Sequence, residues 1–470
     1  MQYKTALWTT LAVLALACFA SAKETPVILR IADSIIAQPE LKPLNRQALH
    51  PADLSGPLQF MGQEQLTKPL LEAYLDRAVV HMSGNSREPE VWGERGLEYL
   101  RSTGAKFNHW ADLGWVRVYT IYDWRVLRRA VDQVHGSDWG ADVLFECGIM
   151  EAIGRQQVDS TEIPPWLLTL MEEFGIQDQR RFGPNGAGYF SYEGMFDRDA
   201  PDWPKHLVGL WYADREHEQS VPDITMLETQ LYYAYLLAEY LDAGFEGVMF
   251  GQTMLTGARD KDNAALATLC EFARKWATAR AYRKAVTLTS HIYDSRDWQG
   301  KPLFTHLTWP TRLSYSPEAP FELRMGPPFK AEGGRQGGEE IEHLLKLPHD
   351  LPILLEIDNY GRASGPSAVC EAGYDEITGY AAKPQAERER FLEDYYFKLR
   401  SWTNAAGNRR VHLALPGYRC LCDALSPGEG VDGKPLPAVS FYSPFAEAGG
   451  EERLEALLFA KARSPASFPN

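Results

Sequence analysis

Residues 353–361, ILLEIDNYG, set two carboxylates two positions apart inside an apolar run. Side chains alternate across a strand, so Leu354, Glu356 and Asp358 share one face and Leu355 and Ile357 the other. Carboxylates on a buried strand are costly unless they are paired or put to use. A second run, ADVLFECG (141–148), has the same form, with Leu144 and Glu146 on one face and the glutamate near the strand's C-terminal end. Two inward carboxyls on different strands suit acid–base chemistry, in which one donates a proton and the other attacks or activates water. Burial raises one carboxyl pKa while a polar setting keeps the other ionised. Glu146, between Phe145 and Cys147, is the expected proton donor. Glu356 is the expected nucleophile, with Asp358 as its helper or its replacement.

Other polar and aromatic residues stand at expected strand ends: His109, Trp110, Gln252, His291, Tyr293, Tyr360 and Arg419. Flat aromatic faces beside planar polar groups are what a sugar ring needs from a binding surface. Each residue alone is as readily packing, and the argument rests on their coincidence. His291 and His306, with Glu146 or Asp358, have ligand types suited to a metal. The sequence has no HxH and no HExxH, so neither a metal nor a cofactor is expected. No GxSxG elbow appears, and no GxGxxG or GxxxxGK[ST] follows an expected strand.

These residues need elements to position them. LQFMG (58–62), AVVHMSG (78–84), KFNHW (106–110) and ADVLFECG (141–148) read as strands. So do GVMFGQ (247–252), AVTLTSH (285–291), residues 352–358 and VHLALP (411–416), with LFTHLTW (303–309) as a ninth candidate. Between them run helical patterns. Leu227, Leu231, Ala234, Tyr235, Ala238 and Leu241 recur at helical spacing after an expected N-cap at Ser220, and Gly244 is the expected stop. Leu266, Leu269, Phe272, Ala273 and Trp276 mark a second helix. Phe391, Leu392, Tyr395, Leu399 and Trp402 mark a third.

Strand–helix alternation implies an α/β fold with parallel strands and right-handed crossovers. Eight units over this length predict a (β/α)8 TIM barrel, with an open doubly wound sheet as the alternative. A long aromatic-rich insert, about 149–220, follows the strand counted as the fourth. It carries Trp166, Trp203, Trp211, Tyr189, Tyr192 and Tyr212, which either line a groove or pack the insert onto the barrel.

On that count Glu146 lies on strand four and Glu356 on strand seven. By the position of these carboxylates the chain resembles the large clan of retaining (β/α)8-barrel glycoside hydrolases, whose acid/base and nucleophile glutamates follow strands four and seven. Phe145 stands where that clan usually has Asn, and Pro416, Gly417 and Tyr418 stand where it usually ends strand eight with Trp. The resemblance implies hydrolysis of glycosidic bonds by paired carboxylates.

Lys4, the apolar run from Ala6 to Phe19 and the Ala20-Ser21-Ala22 site read as a signal peptide over 1–22, too short for a transmembrane span. A secreted or periplasmic location is expected, with a lipid anchor at Cys18 as the alternative. Residues 23–470 then form a single domain. The net charge of −15 argues against a nucleic-acid partner; a carbohydrate substrate is what the resemblance implies. A bridge from Cys370 to Cys420 or Cys422 is one reading of the cysteines and free thiols the other. Two rival functions stand beside the glycosidase: a metal-dependent barrel hydrolase and a non-catalytic glycan-binding barrel.

Overall fold

A computed structural model describes residues 25–37, 63, 66–81, 94–113, 123–149, 151–176, 187–204, 207–208, 218–291, 295–310, 313–316, 319–325, 351–358, 376–381, 383–400, 411–420, 441–445 and 450–462. Residues 1–22 and 58–62, the expected leader and first strand, lie outside them.

The framework is a parallel sheet with helices in the connections. β1 (Ala78–Val80), β2 (Phe107–Leu113), β3 (Leu144–Gly148), β4 (Gly247–Met249) and β5 (Thr287–Thr289) pair in that order. β6 (Leu307–Pro310), β7 (Ile353–Glu356) and β8 (Val411–Leu413) form a second parallel run, with β7 in the middle. One residue past β8, β9 (Leu415–Pro416) pairs in parallel with the far side of β1. A parallel bridge between His291 and Thr308, and an amide from Thr305 to the Leu288 carbonyl at 2.8 Å, join the end of β5 to the beginning of β6.

Parallel neighbours need crossovers, and helices supply them. The principal helices are α1 (Val27–Ile36), α2 (Lys68–Leu75), α3 (Glu94–Thr103), α4 (Trp124–His135), α5 (Pro165–Glu173), α6 (Leu227–Asp242), α7 (Ala264–Arg280), α8 (Gln385–Arg400) and α9 (Glu452–Ala462). Local chemistry sets their ends. The Thr67 hydroxyl accepts from the Leu70 amide at 3.2 Å to open α2, and the Asp260 carboxylate accepts from the Ala265 and Leu266 amides at 2.9 and 3.0 Å to open α7. Gly244, at φ +96°, turns the chain out of α6. Leu266, Leu269, Phe272, Ala273 and Trp276 of α7 are all buried against the core, as their spacing predicts.

One expectation is corrected. Ser220 does not cap α6: Gln219–Ser220 pairs antiparallel with Ile153–Gly154, and the helix opens at Leu227 after an extended Met226. The segment at 303–309, open between an extra hairpin and a true member of the parallel set, is the latter: β6 pairs in parallel with β7. Among the described parallel strands β3, which carries Glu146, is third in chain order and β7, which carries Glu356, is seventh, with the expected strand at 58–62 outside the count.

The insert's described aromatics pack. Phe190, Tyr192, Phe196 and Trp203 are buried in the main core, the Tyr192 hydroxyl donates to Ser220 Oγ at 2.6 Å, and Trp166 tilts against Trp276. Trp211 and Tyr212 lie outside the described residues. Among the described residues no helix is long and apolar enough to cross a membrane. Cys147 and Cys270 are free and buried, while Cys370, Cys422 and the Cys420 side chain lie outside the described set.

Candidate functional site

The site begins with an irregular strand. Asn108 pairs with Phe145 and Asp112 with Cys147, so β2 bulges by two residues against β3. Within the bulge Trp110 takes a left-handed backbone, φ +57°, which is an outlier for a bulky side chain. A regular strand would send His109 and Trp110 to opposite faces. Here both rings enter one cluster, their centroids 5.5 Å apart, and Trp110 also meets His291 edge-on at 5.7 Å. The indole Nε1–H donates to Met249 Sδ at 3.0 Å, and the Arg419 guanidinium covers the ring 4.8 Å from its centroid.

Glu146 comes from the middle of β3 and leans over the first residue of β4. A Cβ at Gly247 would lie 2.8 Å from Glu146 Cβ, so the glycine is what leaves room for the glutamate. Glu356 ends β7, Asp358 lies two residues beyond it, and His291 lies two beyond β5. All of them are buried, with Glu146, Glu356 and His109 at 0% exposure.

The contacts run in a line. Glu146 Oε1 binds His109 Nδ1 directly, and the other ring nitrogen, Nε2, lies 3.3 Å from Glu356 Oε2, too bent for a hydrogen bond. His291 Nε2 stands 3.5 Å from Glu356 Oε1 and 3.2 Å from Asp358 Oδ2. Arg419 closes the line: Nη2 donates to Asp358 Oδ1 at 2.9 Å, Nη1 donates to the Ile357 carbonyl at 2.7 Å and lies 3.7 Å from Glu356 Oε2. His306 Nε2 approaches Glu146 from another side at 3.7 Å. Three donors thus ring Glu356, yet neither of its oxygens has a hydrogen-bond partner among the described residues.

The charge states follow from these contacts. Burial disfavours a charged His109, but Glu146 and Glu356 outweigh it and push the ring up to about 9. Burial raises Glu146 above the ordinary carboxyl range, against the pull of His109. Asp358 moves the other way: burial opposes its charge, and His291 and Arg419 override it and hold the carboxyl far below its usual range. Burial works against a charged His291 too, yet Asp358 and Glu356 raise it. Burial, with His109 and His412 nearby, pushes His306 well below the ordinary imidazole range.

The structure brings Glu146, Glu356, Asp358, His109, Trp110, His291 and Arg419 together. Gln252 is separately engaged: its amide N–H and side-chain Nε2 both donate to Glu151, at 3.0 and 2.9 Å. Tyr293 and Tyr360 lie outside the described residues. Sequence reasoning missed Glu151, which follows β3 where no alternation exists to read. It also missed the β2 bulge, which leaves no residue-type signature.

The metal pairing of His291 with His306 does not form, because the two face different carboxylates. Among the described residues His291, Glu356 and Asp358 bring one ligand atom each within 4.8 Å of the others. Arg419 already supplies positive charge to both carboxylates, so the trio reads as an ion-pair cluster rather than a metal centre.

Titratable groups gathered from within β2 and β3 and from the ends of β5 and β7 define the class: an α/β protein with a buried carboxylate–imidazole site. No protein-family model matches the chain, and no curated protein does. Among solved structures it is similar to the Nostoc punctiforme debranching enzyme soaked with acarbose, at a TM-score of 0.40 and 12% identity over 84% of this chain and 83% of that one. It is also similar to a proposed alpha amylase from Salmonella typhimurium, at a TM-score of 0.39 and 16% identity over 90% of this chain and 67% of that one.

Proposed function

We propose that the chain is an exported carbohydrate-active enzyme that hydrolyses glycosidic bonds with buried carboxylates on a closed (β/α)8 barrel. Closure is supported by the pairings: residues 411–416 reach β7 through β8 and β1 through β9, while Thr305 and Thr308 join β6 to the end of β5. Such a barrel carries its site at the C-terminal strand ends. The leader-like residues 1–22 support export.

The observation that carries the reading is the meeting of Glu146 and Glu356, from β3 and β7, on the single ring of His109. Glu146, whose carboxyl burial raises against the pull of His109, gives its proton to the leaving oxygen. Glu356 faces the sugar carbon, and Asp358, held charged, adds negative potential beside an oxocarbenium-like centre.

The test is turnover of a panel of aryl glycosides and polysaccharides by the wild type, Glu146→Gln and Glu356→Gln. Each variant should lose about 10²–10⁴-fold in kcat while remaining folded. Wild-type rates in both variants would end the reading, and sugar binding without turnover would leave the glycan-binding alternative.

A further inference from the structure

His109 does more than fill the barrel interior. Its Nδ1 is bound to Glu146 and its Nε2 lies 3.3 Å from Glu356 Oε2, close enough for ion pairing though out of hydrogen-bond alignment, so one imidazole separates the two carboxyls the proposed reaction uses. We propose that His109 is a shared counter-ion, a positioning residue whose single positive charge serves whichever of Glu146 and Glu356 is the more negative.

The charge balance of the reaction asks for such a group. In the nucleophilic form of the proposed chemistry, Glu356 enters as a carboxylate and Glu146 as an acid. Attack forms the Glu356–sugar ester bond and breaks the glycosidic bond, whose electron pair leaves on the oxygen as that oxygen takes the Glu146 proton. The negative charge therefore disappears at Glu356 and appears at Glu146. A fixed dipole would suit one state only. An imidazolium lying between the two stays next to the charge in both, and it needs only a slight tilt of the ring.

The surroundings fit. The groups facing His109 are Glu146 from β3, Glu356 from β7 and His306 from the segment leading into β6, with the Phe107 and Trp110 rings as its aromatic neighbours on β2. His306 is pushed well below the ordinary imidazole range and does not compete for the role. On the far side of Glu356, Arg419 and the raised His291 stand 3.7 and 3.5 Å from its oxygens and lie closer to Asp358, at 2.9 and 3.2 Å. The bulge that turns His109 inward is built at the cost of a left-handed Trp110. Glu146 and Glu356 both act to raise the ring against its burial, to about 9.

The inference rests on the proposed reaction for its purpose, but its test does not. In full-length protein carrying ¹⁵N-histidine, NMR should show His109 as an imidazolium at neutral pH, titrating near 9. Glu146→Gln and Glu356→Gln should each bring that titration down toward the ordinary range near 6.5. A neutral His109 at pH 7, or a titration unmoved by Glu356→Gln, would overturn the proposal and leave the residue a partner of Glu146 alone. In the wild-type enzyme kcat should fall as pH rises through about 9, and His109→Gln should remove that limb and lower kcat more than it alters KM. If no glycoside is turned over, the proposed function fails while the NMR result still decides the counter-ion.

Discussion

Arg419 and Asp358 form the firmest ion pair of the site, Nη2 to Oδ1 at 2.9 Å with both side chains fully buried. The pair settles how Asp358 can act. A carboxyl held far below its usual range by His291 and Arg419 against burial has no proton to give, so Asp358 is not the proton donor. Removing one partner of a buried pair leaves an uncompensated charge, which costs about 3–5 kcal/mol. Arg419→Met should lose on that order in urea unfolding, and Arg419→Met with Asp358→Asn should recover part of it. A single-variant loss under about 1 kcal/mol would show that the pair is screened by solvent.

Gly247 makes a sharper steric prediction. Replacing glycine in a strand usually helps, because glycine has no side chain to pack. Here the added Cβ would meet Glu146 at 2.8 Å and Thr287 Oγ1 at 2.9 Å. Gly247→Ala should therefore destabilise the fold by about 1–3 kcal/mol. It should also reduce turnover, because the atom that must give way belongs to Glu146. A more stable Gly247→Ala protein in thermal unfolding would contradict the packing described.

Trp110 tests the strained bulge. Alanine is disfavoured at a positive φ and glycine is not, by roughly 1–2 kcal/mol. Both variants lose the ring and its contacts with Arg419 and Met249. Trp110→Gly should nonetheless unfold at higher denaturant than Trp110→Ala, the reverse of the usual order in a strand. Equal midpoints would place Trp110 in ordinary extended backbone.

Two histidines bend the pH–stability curve in opposite directions. His109 is raised to about 9 from 6.5, so its contribution is complete below about 6.5 and is lost as pH climbs through 9. The full effect is on the order of 3 kcal/mol. His81 is buried neutral, pushed down to about 3, so its contribution is present above 6.5 and fades as pH falls below that. Urea midpoints across this range should peak near neutrality, and His109→Gln should flatten the alkaline side alone. An unchanged alkaline slope in that variant would assign it to other groups.

Much of this architecture is legible in the chain itself. The alternation of Leu354, Glu356 and Asp358, and of Leu144 and Glu146, marks inward carboxylates because strand geometry fixes side-chain direction two residues at a time. Apolar spacing marks α7 for the same kind of reason, with a period of 3.6. What stayed hidden is what depends on partners distant in the chain. That β6 belongs beside β7 is a matter of pairing between segments, which local pattern does not record. That His109 and Trp110 enter one cluster is due to a bulge defined only against β3. Residue types and periods act over a few neighbours and could nominate the carboxylates. Only tertiary structure could decide that one imidazole stands between Glu146 and Glu356, and that Arg419 takes Asp358, because those contacts join residues 37 and 61 positions apart.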